Sequence, residues 1–350
     1  MNDTQINLRQ QNILTFLFNK STSTRSDIEK ALGDNKASRI TVIRDLNHLI
    51  KLGLVEQSGG GKYITYRLKT GKELLIPINI DEYFQIKSDN RDIKYAKYNP
   101  IIIDNLSGLL TKKERVIFEQ GRVKLGEKFK NLDPSLLKRE LERFTIELSW
   151  KSSQIEGNTY SLLETEELIK NKREAKGHDK SEAIMILNHK STFDAILEKK
   201  NNFKEISVAD IKAIHAELVK DLGITTGVRE AGVGITGTKY TPLDNKWQLD
   251  EALSNVVSLT RKLELIPEKA LAFLAMISYL QPFNDGNKRT SRMVSNAILL
   301  ANGYYPLSYR SVDEVEYKKA LILFYEQNNI YHLKQIFIEQ QKFAIENYFL

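Results

Sequence analysis

Ser278-Tyr-Leu-Gln-Pro-Phe-Asn-Asp-Gly-Asn-Lys-Arg-Thr-Ser-Arg292 is the stretch on which the reading of this chain turns. It joins an apolar helical run to a second helix through Gln281 to Gly286, which places the amides of Asn287, Lys288 and Arg289 at a helix N-terminus. Free amides and the positive end of the helix dipole make such a terminus an anion site. Arg289 and Arg292 are three residues apart, one turn along the same face, where two guanidinium forks can grip phosphate oxygens. Asp285, just ahead of the turn, is a carboxylate placed to hold magnesium against those phosphates.

The stretch resembles the signature of the Fic (Fido-fold) family, H-x-F-x-D/E-G-N-G/K-R-x-x-R. Phe283, Asp285, Gly286, Asn287, Lys288, Arg289 and Arg292 match in order, and Gln281 stands where the family has its histidine. The resemblance implies a site for ATP with magnesium, used to move AMP onto a hydroxyl of a target protein. It assigns the metal to Asp285, phosphate to the Gly286 to Lys288 amides, phosphate oxygens to Asn287, Arg289 and Arg292, and anchoring of the loop to Phe283. The family histidine takes the proton of the attacking hydroxyl. A glutamine amide has no basic lone pair near neutral pH, and loss of a general base typically costs ~10² to 10⁴ in rate. Positioning and charge neutralisation survive, so nucleotide binding is expected to outlast transfer. Of the other histidines, His48 falls in the third helix of the chain and His178, His189, His215 and His332 are not placed at the loop by sequence.

Upstream, Asp133-Pro134 opens a helix whose stripe is Leu136, Leu137, Leu141, Phe144 and Leu148, and which ends in Ser152-Ser-Gln-Ile-Glu-Gly157. Ser152 and Glu156, four apart, share a face. This segment (134–157) resembles the family's inhibitory S/T-x-x-x-E-G/N motif, whose glutamate pairs with the second signature arginine. The resemblance implies a pair between Glu156 and Arg292. Residues 227–242, with Gly227-Val-Arg-Glu-Ala-Gly-Val-Gly-Ile235 followed by Thr236, Gly237, Thr238, Lys239 and Tyr240, break the helical rhythm and resemble the family's flap, a β-hairpin that holds the target segment by strand addition.

At the N-terminus, apolar residues at helical spacing from Ile6 to Phe18 predict a first helix. A second runs through Asp27 to Leu32, capped by Thr24 or Ser26, and a third from Ser38 to Leu52. Two β-rich runs follow, around the glycine-rich turn Ser58-Gly-Gly-Gly-Lys62. This order resembles a winged helix-turn-helix, which implies groove contacts from Ser38, Arg39, Thr41 and Arg44 and a phosphate contact from Lys62. The alternative use of such a unit is dimerisation or protein contact, compatible with a homodimer. Residues 1–70 hold 11 Lys or Arg against 6 Asp or Glu, so 11 − 6 = +5 of the net +7 sits there, an excess that favours a polyanion such as double-stranded DNA.

The expected architecture is therefore mainly α. A small α+β winged-helix domain (1–70) leads through a linker (71–105), with a possible short strand at Ile76 to Ile80, into an all-helical Fic core (106–350) carrying a hairpin flap and the signature loop (281–292). The absence of cysteine from all 350 residues removes disulfides, thiolate metal sites and cysteine nucleophiles, and fits a reducing cytoplasm. The longest apolar run, Ala270 to Leu280, is too short for a bilayer, and the N-terminus lacks signal-peptide order, so a cytoplasmic protein is expected. Three functions remain open on sequence. The first is an AMP transferase restrained by Glu156, or the reverse AMP removal; the second a DNA-binding regulator whose Fic domain senses a nucleotide or phosphate ligand; the third the toxin partner of an antitoxin.

Overall fold

The computed structural model describes residues 6–18, 20, 22–33, 37–69 and 71–349. Most of these are helical. The centre is an antiparallel pair, α11 (Ile266–Leu280) and α12 (Asn287–Ala301), joined by the signature loop. Every side chain of α11 from Ala270 to Leu280 is buried, and α12 is buried at every position but Lys288. A helix enclosed on all sides has to be apolar or satisfied all round, and that explains the unbroken hydrophobic run of α11.

Helices α6 (Pro134–Gln154), α8 (Lys180–Glu198), α9 (Val208–Leu218), α10 (Lys246–Lys262) and α13 (Glu314–Gln327) surround this pair, with α5 (Lys112–Asn131) and α14 (Tyr331–Asn347) closing one side. α7 (Leu162–Asn171) packs on α6 and α8 around a satellite apolar cluster containing Ile146, Tyr160 and Leu168. Local signals set the boundaries. Asp133 caps α6 ahead of a proline in its first turn, and Ser161 with Glu164 makes the capping box of α7. At α13 the cap is Asp313, which accepts from the amides of Val315 and Glu316. Leu136 is 47% exposed and leaves the buried stripe of α6, because the first turns of that helix project past the core.

The N-terminal unit has α1 (Leu8–Phe18), α2 (Arg25–Ala31) and α3 (Arg39–Lys51) against a three-stranded antiparallel sheet. Strand β1 (Ser23–Thr24) pairs with β3 (Thr65–Leu68), which pairs with β2 (Val55–Ser58), Val55 facing Leu68 and Ser58 facing Thr65. Thr24, not Ser26, caps α2 in a box with Asp27.

Residues 71–105 form no strand; Ile76 to Asn79 is irregular and Ile80 begins a short helix, α4 (Ile80–Gln85), because Asn79 caps it. The segment is strapped to the core. Ile330 donates its amide to the Leu74 carbonyl (2.8 Å), Asn329 reaches the Ile76 carbonyl (2.6 Å), and the Asn99 amide donates to the Tyr279 hydroxyl (2.9 Å). Arg91, 5% exposed, pairs with the fully buried Glu326 through two bonds, 2.8 and 2.9 Å. One apolar cluster runs from Ile13 in α1 through Leu74 and Ile102 to Phe349. Among the described residues no helix is long and apolar enough to cross a membrane.

Segment 227–242, expected as a hairpin, has no strand ladder; its one bridge is parallel, between Thr241 and Lys97 of the strap. A buried arginine organises it instead. Arg229, 1% exposed, donates to the carbonyls of Gln281 (Nε, 2.7 Å), Ala231 and Leu243, which folds the segment around a guanidinium instead of onto itself.

Candidate functional site

The chain turns out of α11 at Gln281, which takes a left-handed conformation (φ 48°, ψ 56°) while its amide still donates to Ile277 (3.1 Å). Phe283 is then driven into the core and stacks on the His215 ring of α9, centroids 3.7 Å apart and planes within 9°. Burying a phenylalanine is worth roughly 2 to 3 kcal/mol, enough to hold a short loop in one place. Asn287 locks the turn from the other end: its Oδ1 accepts from the Phe283 amide (2.9 Å) and its Nδ2 donates to the Phe283 carbonyl (2.8 Å). Both ends of the Asn287 amide are thus committed to the loop itself, so it shapes the anion site without reaching into it.

Gly286 has φ +77°, and a Cβ there would lie 2.9 Å from Val219 Cγ1, so glycine is required on two counts. As N-cap of α12 it offers no side-chain oxygen, which leaves the first-turn amides uncapped by the chain. Seven matching positions thereby converge on one helix terminus. Arg289, 2% exposed, reaches the mostly exposed Asp285 carboxylate (3.2 Å). Among the described residues no three His, Cys, Asp or Glu cluster as a metal site.

Gln281 is 8% exposed and turned inward: its Nε2 donates to the Ser278 carbonyl at 2.6 Å, one of the orphan carbonyls at the end of α11. The residue acts as a side-chain cap. The two histidines packed against this site, His215 and His189, are both buried and weakly basic. His215 donates Nε2–H to the Asp285 carbonyl (3.0 Å), and burial pushes its pKa down to about 4 despite that bond. His189 is fully buried on α8, and burial, with Arg289 and Arg292 nearby, pushes it to about 3.

Ser152 and Glu156 do meet Arg292. The arginine is fully buried; its Nε donates to Ser152 Oγ (2.9 Å), and its Nη2 to the Ser152 carbonyl (2.8 Å) and Glu156 Oε1 (2.9 Å). Lys288 grips the other carboxylate oxygen at 3.2 Å. Burial works to raise the Glu156 carboxyl, but Arg292 and Lys288 outweigh it and hold it at about 2. Glu156 is therefore ionised at any physiological pH and clasps two of the three cations in the first turns of α12, Arg289 pairing with Asp285 instead. Arg292 stacks over Tyr309 and Tyr317, 5.9 and 5.6 Å from their centroids, and cannot swing away easily.

The remaining sequence-predicted residues are dispersed. Thr236, Gly237 and Lys239 are exposed, but Tyr240 is buried, donating its hydroxyl to the Tyr279 carbonyl (2.9 Å) and stacking on that ring; it anchors the segment. On α3, Arg39 and Arg44 are exposed, whereas Ser38 accepts from the Thr41 amide (3.3 Å) and their hydroxyls share a bond (2.9 Å), so both serve the helix cap. The side chain of Lys62 lies outside the described residues. Sequence reasoning missed the second grip of Lys288 on Glu156 and the bracing by Arg229. Lys288 is itself a named signature residue, and Arg229 stands inside a named segment, yet only tertiary placement reveals their side-chain partners.

Residues 205–299 match the family model described as Fic/DOC family. Among curated relatives, the chain is 24% identical over 207 residues to the protein adenylyltransferase fic-1 of Caenorhabditis elegans, 56% of this chain and 40% of that protein. It is 28% identical over 180 residues to the protein adenylyltransferase Fic of Aedes aegypti, 49% and 35% of the two. The chain thus spans about two-fifths or less of these relatives' lengths. Solved structures of similar fold include Caenorhabditis elegans Fic-1, TM-score 0.57 at 20% identity over 67% of this chain and 71% of that one. A Fic domain containing signaling protein from Bacteroides thetaiotaomicron gives TM-score 0.53 at 21% identity, over 65% of this chain and 96% of that one.

Proposed function

We propose that this chain is a Fic-type nucleotide-binding protein related to protein adenylyltransferases, restrained by Glu156 and impaired in transfer by Gln281. The observation that carries the reading is the clasp: one carboxylate, 2.9 Å from Arg292 and 3.2 Å from Lys288, occupies the cations that border an uncapped helix terminus. A phosphate tail is the natural competitor for those cations. Asp285 fits a magnesium ion that keeps most of its ligands from water and phosphate, since it is a single exposed carboxylate; the ion would offset phosphate charge. In AMP transfer a target hydroxyl oxygen bonds to the α-phosphorus, the α–β oxygen bond breaks, pyrophosphate leaves and the hydroxyl proton needs an acceptor. Gln281 offers none and is already tied to Ser278.

The second reading, a DNA-binding regulator whose Fic domain senses a nucleotide, is favoured by exposed Arg39 and Arg44 on one helix of an N-terminal unit of three helices and a three-stranded sheet. The two readings divide on chemistry. Purified chains carrying Glu156→Gly, alone or with Gln281→His, are incubated with labelled ATP, magnesium and a lysate of the host. The double variant is expected to transfer AMP to itself or a lysate protein, and Glu156→Gly alone to stay near background. Strong labelling by the Gln281 protein sends the search for a base elsewhere; none by the double variant favours the sensor.

A further inference from the structure

His189 belongs to neither motif, yet it touches the clasp. Its Nδ1 lies 2.9 Å from the Met185 carbonyl, one turn back on α8, and its Nε2 lies 2.9 Å from Ser152 Oγ. A carbonyl can only accept, so the ring proton sits on Nδ1 and Ser153 Oγ, 3.3 Å away, can share it as acceptor. Nε2 of the neutral ring is then an acceptor, and the Ser152 hydroxyl must be its donor. With its proton spent on His189, the Ser152 oxygen turns its lone pairs outward, and Arg292 Nε donates to it at 2.9 Å. Helical serines otherwise tend to bond back to a carbonyl of their own helix. All three side chains are fully buried, so no water competes for these bonds.

We propose that His189 is the positioning residue of the clasp: it orients the Ser152 hydroxyl as an acceptor for Arg292 and so holds that arginine where Glu156 grips it. This rests on the nucleotide-site reading above. The bond order is directional, from Arg292 through Ser152 to His189 to the α8 backbone, and it makes α8 a participant in restraint. Nothing in the S-x-x-x-E-G pattern requires a partner for the serine, which is why the contact is legible only in the fold.

Two measurements on the full chain test it. Nitrogen NMR of the chain labelled in histidine, assigned by loss of one ring signal in His189→Gln, is expected to show the Nδ1–H tautomer with Nε2 unprotonated at pH 7. The opposite tautomer, or a charged ring, overturns the proposal. Calorimetry with ATP and magnesium then compares wild type, His189→Leu, His189→Gln, Ser152→Ala and His189→Leu with Ser152→Ala. His189→Leu is expected to bind about 3- to 10-fold more tightly, the worth of one oriented hydrogen bond. Glutamine, which can place an oxygen where Nε2 lies, is expected to restore wild-type affinity, and the double variant to match Ser152→Ala. Unchanged affinity in His189→Leu, or an effect additive with Ser152→Ala, refutes it. If even Glu156→Gly binds no nucleotide, the site reading fails instead, and the tautomer alone decides the role of His189.

Discussion

Removing the Glu156 carboxylate should tighten nucleotide binding and loosen the free protein, by related amounts. The carboxyl is held at about 2 against 4.5 for a free glutamate. At ~1.36 kcal/mol per pH unit this gap is roughly 3 kcal/mol, which a side chain still 17% exposed reduces to about 2. Glu156 follows the last residue of α6 by two positions, in a turn, so Glu156→Gly disturbs little helix. Arg292 keeps its bonds to Ser152 but loses its counter-charge, so the variant should melt earlier by an amount matching about 2 kcal/mol. A phosphate tail no longer has to displace the carboxylate, and about 2 kcal/mol is a ~30-fold gain in affinity. Calorimetry with ATP and magnesium gives the affinity, and thermal melts with and without nucleotide give the stability. Equal affinities in the two proteins, with the variant folded, would falsify the clasp as a restraint.

Other outcomes follow from the same geometry. Because the folded carboxyl is depressed, its contribution is fully present above about 4.5 and is lost as pH falls toward 2; the stability gap between wild type and Glu156→Gly should be flat from pH 8 to 5 and close below, in melts run across that range. Gly286→Ala meets both a left-handed backbone and Val219 at 2.9 Å, so it should cost about 1 to 3 kcal/mol in denaturant titration and abolish nucleotide binding. If the N-terminal unit binds duplex DNA, Arg39→Ala and Arg44→Ala should each weaken it and flatten its salt dependence in gel retardation; binding indifferent to salt points to a protein partner.

The turn between α11 and α12 and the contact of Ser152 and Glu156 with Arg292 were legible because each rests on spacing: Phe283, Gly286 and Arg292 sit where a short turn and one helical repeat put them. The helical character of the core was equally plain from the run Ala270 to Leu280. The flap was misread as a hairpin since glycines and β-branched residues fit a strand, while the buried arginine that organises it carries no local signature. Asn287 and Tyr240 were read as contact residues and proved to be staples, because sequence shows that a side chain has polar or aromatic capacity but not where it is spent. Gln281 shows the limit most clearly. Its failure as a base follows from chemistry alone; its use as a cap of α11 required the fold.

The strap carries one more implication, for where this chain can be divided. Arg91 neutralises Glu326 in the interior, Asn99 fills the Tyr279 hydroxyl, and Ala96 accepts from the Thr241 amide at 2.8 Å. A polypeptide begun at residue 106 would retain every signature residue yet leave Glu326 as a bare charge in the core, a defect worth about 3 to 5 kcal/mol. The natural seam for excision or for grafting a different N-terminal unit therefore lies before Leu74, and recombination that respects the motif but not the strap should yield insoluble proteins.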